Sequence, residues 1–160
     1  MIAPGDLRPQ VLDPLAAPPA PVSVPDGPRR GETRKARNHR LLLAALRAGL
    51  HVDPLGGCLF LVESGEKNGS WYRASAHNLS ADPLFARFYC SCPWGHHLEY
   101  GWAACDGREG PGPCKHMLLL YWLTLSPATA AAVLAQDADL AAALAVWEHI
   151  TGPHAQSFTV

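Results

Sequence analysis

The sequence predicts an α+β fold: a small β-hairpin plus strand and helix module, with a basic N-terminal helix before it and packing helices after it. Residues 59–64 and 70–75 are short apolar or aromatic segments around a loop ending in Asn68-Gly69, a strong hairpin turn dipeptide. Met117–Leu125 is an apolar run without a helix breaker. With 160 residues, 48% of them hydrophobic, the chain suits one domain with appendages.

Residues 1–28 differ in composition from the rest of the chain. They hold eight of the 15 prolines, with Ala and Val between them, and show neither helical nor alternating periodicity. Such a segment cannot bury enough apolar surface to order itself. We predict a disordered Pro/Ala-rich tail, although it could also dock on a partner as an extended segment.

Residues 29–50 predict a basic amphipathic helix. Thr33 is a suitable N-cap, and Gly49 suits the C′ position. The residues expected to face the core are Leu42, Leu43, Leu46 and Leu50.

The basic helix also carries most of the positive charge. Residues 29–50 hold seven Lys or Arg against one acid, whereas residues 51–160 hold five against ten. Arg30, Arg34 and Arg37 are spaced by four and three, which predicts one face and a phosphate-contacting stripe. A solvated helix face that neutralises the acidic body explains the same pattern.

After the hairpin, Phe85–Ser91 predicts a third strand, which ends in the first of two short Cys/His pairs. Cys90-Ser-Cys92 and Cys114-Lys-His116 are separated by 21 residues. Residues two apart in a strand lie on the same face, so Cys90 and Cys92 can bind one ion. Cys114 should precede a helix and His116 should lie in its first turn, because residues two apart within a helix point in different directions. Cys3His is a set that binds structural zinc, so the pairs predict one Zn²⁺ site.

The motifs Phe88-Tyr-Cys-Ser-Cys-Pro93 and Pro113-Cys-Lys-His-Met117 resemble the two ends of a SWIM-type zinc finger. The resemblance covers roughly residues 58–125, within a predicted domain at 55–125. It implies a non-catalytic module that binds DNA or protein partners. The basic helix makes RNA a further possible partner. The zinc ligands that the resemblance implies are Cys90, Cys92, Cys114 and His116. From spacing alone, His96, His97 or Cys105 could replace one of them, and Cys58 is expected in the core.

The spacer at 93–113 contains five Gly and three Pro, which disfavour regular structure. It also contains aromatic rings at Trp94, Tyr100 and Trp102. Trp94 and Trp102 are candidates for stacking on nucleic-acid bases. The favoured alternative is that they cover the small core around the metal, because a domain of this size needs its apolar surface buried.

The basic helix beside the zinc finger favours a nucleic-acid-binding module, whereas the acidic body and the aromatic spacer favour a protein-interaction adaptor or a regulatory subunit of a larger complex. A zinc enzyme is a third functional class. His97-Leu-Glu99 followed by Pro113-Cys114 is similar to the zinc-deaminase pattern, but Met117 stands where the second cysteine is required. A site filled by four protein ligands also leaves no position for water. We therefore predict no catalysis and no small-molecule substrate.

Residues 126–152 predict C-terminal helices. Ser126-Pro127 is a cap followed by proline at the first helical position, and Asp137 is a second cap. In the last helix one side carries Leu140, Leu144, Trp147 and Ile150, which should pack on the body. Residues after Gly152 are expected to fray.

Cysteine content and hydropathy predict the compartment. Five cysteines without an N-terminal signal sequence favour a reducing environment, so we expect a cytoplasmic protein. No apolar run approaches 18 residues, so a membrane partner is not expected.

Overall fold

A four-stranded antiparallel sheet is present in the computed structural model, which describes residues 27–65, 69–79, 83–98, 100–106 and 112–152. The strands are β1 (Val52–Gly56), β2 (Leu59–Glu63), β3 (Trp71–His77) and β4 (Arg87–Cys90). They pair in sequence order, each antiparallel to the next. The architecture is therefore α+β, as the sequence predicts.

The predicted hairpin is present as β2 and β3, but the strand before it was not predicted. β1 pairs with β2 through a register shift between Pro54 and Gly56. A proline followed closely by two glycines, as in Pro54-Leu-Gly-Gly57, indicates a loop rather than a strand. β1 tolerates Pro54 because it lies at the edge of the sheet, where a missing N–H donor breaks no inner ladder.

The third predicted strand is shorter than expected. Pro83–Phe85 forms a 3₁₀ turn, and only Arg87–Cys90 pairs with β3. Phe88 also forms an isolated antiparallel bridge with Trp102, so a piece of the spacer lies beside β4. The two ligands at the end of this strand keep the position that the sequence predicts.

Four helices complete the described fold: α1 (Arg34–Arg47), α2 (Lys115–Thr124), α3 (Pro127–Leu134) and α4 (Ala138–Thr151). α2 is apolar on all sides and buries most of its length, as expected for a central core helix. It packs on α1 and on β4, and α4 packs on α1. The core joins helix residues such as Leu46, Met117 and Trp147 to the alternate sheet residues Phe60, Val62, Ala74, Ala76 and Phe88.

The ends of α1 agree with the sequence. The side chain of Thr33 accepts a hydrogen bond from the Ala36 N–H, and Gly49 has φ +65° just beyond the helix. A Cβ at position 49 would lie 2.5 Å from the Ile150 side chain, so glycine is required there for the contact with α4 as well. Leu43, Leu46 and Leu50 are buried and Leu42 packs against them, as predicted.

The C-terminal helices also begin where the sequence predicts. The side chains of Ser126 and Asp137 accept hydrogen bonds from the Thr129 and Leu140 N–H groups, respectively. On α4, Leu140 and Trp147 are buried, and the indole N–H of Trp147 donates to the Leu50 carbonyl at 2.8 Å. Ile150 remains 47% exposed despite its contact with Gly49.

Asp137 links the cap of α4 to α1, which gives a prediction. Its Oδ2 lies 2.7 Å from His39 Nε2, and its pKa is lowered by the Leu140 N–H and then by His39. At pH 7, Asp137→Ala should lower the free energy of unfolding by about 1 kcal/mol, the usual effect of losing an N-cap. Because the pKa is lowered, this stabilisation is present above the ordinary value of 3.8 and is lost as the pH falls further.

Urea titrations at pH 7 and at pH 3 measure both effects. Asp137→Asn is the matched control, since asparagine can cap the helix without a charge. Equal destabilisation by the Ala and Asn variants would show that the hydrogen bond from the Leu140 N–H to the side chain at position 137 contributes nothing to stability.

Two sequence expectations lie outside the described residues. These are the disordered tail, of which residues 1–26 are not described, and the fraying after Gly152. Within the described residues, no single helix is long and apolar enough to cross a membrane; α2 and α3 meet that criterion only as a pair, bent by 116°.

Candidate metal centre

The structure brings the four predicted ligands together. One ligand atom from each of Cys90, Cys92, Cys114 and His116 lies within 4.8 Å of all the others. All four side chains are buried. The prediction that two pairs far apart in sequence meet at one place is confirmed.

The first pair is delivered by the end of β4. Cys90 is the last residue of the strand. The backbone N–H of Cys92 donates to Cys90 Sγ at 3.5 Å. The Gly95 N–H donates in turn to Cys92 Sγ at 3.2 Å. A Cβ at position 95 would lie 2.4 Å from the Cys90 carbonyl oxygen, so this tight turn requires glycine.

The second pair is delivered by the start of α2. Cys114 is the N-cap, and its Sγ accepts a hydrogen bond from the Met117 N–H at 3.4 Å. His116 is the second helical residue, as predicted. Each of the three sulfurs therefore accepts a backbone N–H, which stabilises negative charge on sulfur, and the helix N-terminus adds to this effect.

The imidazole of His116 completes the cluster. Its Nδ1 lies 3.7 Å from Cys90 Sγ, and the ring stands 5.1 Å from the ring of Tyr72, centroid to centroid. Among the described residues, Nε2 has no hydrogen-bond partner although it is buried. Nδ1 is the ring nitrogen that faces Cys90 Sγ, so it is the one placed to coordinate a metal. That coordination leaves the buried Nε2 without a partner among these residues.

The thiols differ in acidity. Burial raises the pKa of Cys90 and of Cys114 well above the ordinary value. The pKa of Cys92 is lowered because the Cys114 and Cys90 thiols hydrogen-bond to its sulfur. Hydrogen bonds within the group thus favour one thiolate, the form that binds metal.

The distance between Cys90 Sγ and His116 Nδ1 fits a tetrahedral ion. With metal–sulfur and metal–nitrogen bonds of about 2.3 and 2.05 Å, a tetrahedron has S–N edges of about 3.6 Å. The separation of 3.7 Å between Cys90 Sγ and His116 Nδ1 is close to that edge. The Cys3His cluster can therefore hold one metal ion.

The rival ligands lie elsewhere. Cys105, His96 and His97 are exposed and do not belong to the cluster. Cys58 was expected in the core, but this is wrong: it is only half-buried, because it lies in the turn between β1 and β2.

The predicted phosphate-contacting stripe does not form as one face. Arg30 lies before the first residue of α1, and Arg30 and Arg34 are exposed. Arg37, by contrast, is only 4% exposed. Its guanidinium donates to the Pro113 carbonyl and faces the metal lobe, by which we mean the ligand cluster with residues 93–98 and 112–113 beside it. The assignment of Arg37 to an exposed stripe is therefore corrected.

Trp94 and Trp102 are half-buried parts of the fold. The indole N–H of Trp94 donates to the Gly112 carbonyl, and its ring faces the Arg37 guanidinium. Trp102 contacts Phe88 and Tyr121. These positions agree with the alternative that the rings cover the core and leave their assignment as base-stacking residues without structural support.

Two residues of the site were missed at the sequence level. Gly95 follows Cys92 by three positions, and the signal available was its place directly after the ligand pair in Cys92-Pro-Trp-Gly95. For the role of Arg37 no sequence signal exists, since its partners Trp94 and Pro113 lie 57 and 76 positions away.

Family models, curated proteins and solved structures were compared with this chain, and none matches it. The similarity to the SWIM-type finger therefore depends on the spacing of the ligands alone. What the structure establishes is an α+β domain with a buried Cys3His cluster able to hold one metal ion.

Proposed function

We propose that the chain is a non-catalytic zinc module of the SWIM type that recognises nucleic acid. The observation that carries the zinc assignment is the buried set of three sulfurs and one imidazole nitrogen within 4.8 Å. Thiolate ligands select soft or borderline ions, and a tetrahedral S₃N set suits Zn²⁺. Hard ions such as Mg²⁺ and Ca²⁺ prefer oxygen ligands and would not compete here.

A structural rather than catalytic ion follows from the number of ligands. Four protein side chains fill a tetrahedron, so no position remains for a water molecule or a substrate. The cluster is also buried, which keeps solvent away from the metal. Metal analysis of the purified protein tests the assignment: one zinc per chain is expected, and Co²⁺ in its place should give the absorption bands of a tetrahedral thiolate site.

Nucleic-acid recognition is supported by the charge at the start of α1. Arg29, Arg30, Arg34 and Lys35 are exposed within seven positions. The acid in this region, Glu32, is bound by Arg40, which lies at 2.7 Å and lowers the pKa of Glu32 to about 2. Glu32 also accepts the backbone N–H of Arg29 at 2.9 Å. An exposed cluster of like charge is the usual footprint of phosphate binding.

Salt dependence tests this part of the proposal. Three or four phosphate contacts would give a log–log slope of binding constant against salt of about −3 to −4 on duplex DNA. Arg30→Ala and Arg34→Ala should each flatten the slope by about one and leave the zinc content unchanged. Arg47→Ala is the control, because Arg47 is exposed in the last turn of α1, roughly 20 Å from Arg34.

A protein partner is the second candidate, and one observation favours it. Phe85 and Tyr100 are 60% and 65% exposed. They lie on either side of the ligand pair Cys90 and Cys92 in sequence, and Arg87 donates to the Tyr100 carbonyl. Aromatic side chains are enriched in protein interfaces.

One titration separates the two functions. If no binding to DNA or RNA occurs at about 0.15 M salt and protein concentrations up to about 10⁻⁴ M, nucleic-acid recognition is wrong and the adaptor function replaces it. Under either function, reduced thiols in the metal centre favour the cytoplasm as the proposed location.

A further inference from the structure

A buried arginine joins α1 to both loops that deliver the metal ligands. Arg37 lies in the first turns of α1, yet it is only 4% exposed and its guanidinium is turned towards the metal lobe. Burial of a charged group is unfavourable unless hydrogen bonds or charges compensate for it. The contacts that compensate for the burial of Arg37 therefore indicate its role.

The contacts of Arg37 reach one residue near each ligand pair. Nη1 donates to the carbonyl of Pro113, the residue before Cys114, at 3.0 Å. The guanidinium carbon lies 4.9 Å from the ring centroid of Trp94, two residues after Cys92. The indole N–H of Trp94 donates to the Gly112 carbonyl at 3.0 Å. Arg37, Trp94 and the segment 112–113 thus form a closed set of contacts across the two loops.

The backbone at Gly112 lies close to the Arg37 guanidinium. Gly112 has φ +71°, and a Cβ at this position would lie 3.0 Å from Arg37 Nη1. The left-handed backbone conformation favours glycine, and a Cβ here would also require the guanidinium to shift. The loop that leads into Cys114 therefore fits the arginine side chain closely.

The charge of Arg37 also complements the centre. A Zn²⁺ ion bound by three thiolates and a neutral imidazole carries a net charge of −1. A guanidinium on the carbonyl next to Cys114 places a permanent positive charge beside that anion, where low dielectric strengthens the attraction.

We infer that Arg37 is a positioning residue of the metal centre, which holds the two ligand loops at the separation that one ion requires. This inference rests on the proposed zinc site. It assigns to the basic helix a role in metal binding that is independent of any nucleic acid.

Competition titrations with Co²⁺ and Zn²⁺ on the full chain test the inference. Arg37→Met keeps the apolar stem but removes the hydrogen-bond donor and the charge. It should weaken metal affinity by roughly tenfold, the usual effect of removing a residue that supports the metal ligands from outside. Arg37→Lys retains the charge and should recover part of the affinity. Arg47→Met, an exposed arginine of the same helix, should leave the affinity unchanged.

A spectroscopic control separates positioning from general stability. Asp137→Ala also destabilises the fold, but it lies on the α4 cap and touches no ligand loop. The absorption bands of bound Co²⁺ should shift in Arg37→Met, because the ligand separation changes, and should not shift in Asp137→Ala. Identical bands and affinity in Arg37→Met and the wild type would overturn the inference.

A second variant keeps the test decisive if Arg37→Met does not fold. Trp94→Phe retains a ring under the guanidinium but loses the bond to the Gly112 carbonyl, and it should weaken metal binding roughly threefold to tenfold. Wild-type affinity in this variant would then overturn the inference. If the wild type itself binds neither Zn²⁺ nor Co²⁺, the proposed zinc function fails instead.

Discussion

Removal of zinc is expected to unfold the domain. The cluster joins the end of β4 to the start of α2, the helix at the centre of the core. Structural zinc binds small domains with roughly 10–16 kcal/mol at neutral pH, which equals or exceeds the total stability of a typical domain. Chelation at pH 7 should therefore abolish the near-UV circular dichroism of the buried tryptophans Trp122 and Trp147.

Addition of Zn²⁺ after chelation should restore the signal, which distinguishes reversible unfolding from damage by the chelator. Mg²⁺ should not restore it, because thiolates do not bind hard ions. A cooperative thermal transition that persists after the metal content has fallen to zero would contradict the prediction.

Substitution of single ligands is expected to have the next largest effect. Ser at Cys90, Cys92 or Cys114, or Ala at His116, opens the tetrahedron and should reduce the zinc content from one per chain to near zero. Cys114→Ser should retain a cap for α2, since serine is a good N-cap, so its effect reports on the metal.

Bystander residues provide the matched controls. Cys105→Ser, His96→Ala and Cys58→Ser remove metal-binding groups of the same kinds outside the cluster and should keep one zinc per chain. Loss of metal in Cys105→Ser together with its retention in His116→Ala would show that the fourth ligand is misassigned.

The ligand cluster could be predicted from sequence because its determinants are local. The two ligands within each pair are only two positions apart. The segment next to each pair shows whether a strand or a helix presents the ligands. Thr33, Ser126 and Asp137 were predictable as caps for the same reason, since a cap bonds to backbone only three residues away. Local hydrogen bonds leave a local signal.

The rest depends on long-range contacts that spacing does not encode. Helical periodicity placed Arg37 with exposed arginines, but its partners lie on loops that approach α1 only in the folded chain. β1 was hidden because Pro54 and the glycines after it are typical of loops, and only pairing with β2 makes the segment a strand. Trp94 and Trp102 likewise acquire their partners from distant segments.

The spacer between the ligand pairs is held along its length and not only at its ends. Its ends are fixed by the cluster at Cys92 and Cys114 and by the bond from Trp94 to Gly112. Its described middle is tied to β4 and to the turn before it: Trp102 bridges Phe88, the Cys105 N–H donates to the Leu84 carbonyl, and Asp106 pairs with Arg87. A peptide inserted next to Cys105 would break these contacts, so a loss of stability is expected there although the cysteine is exposed.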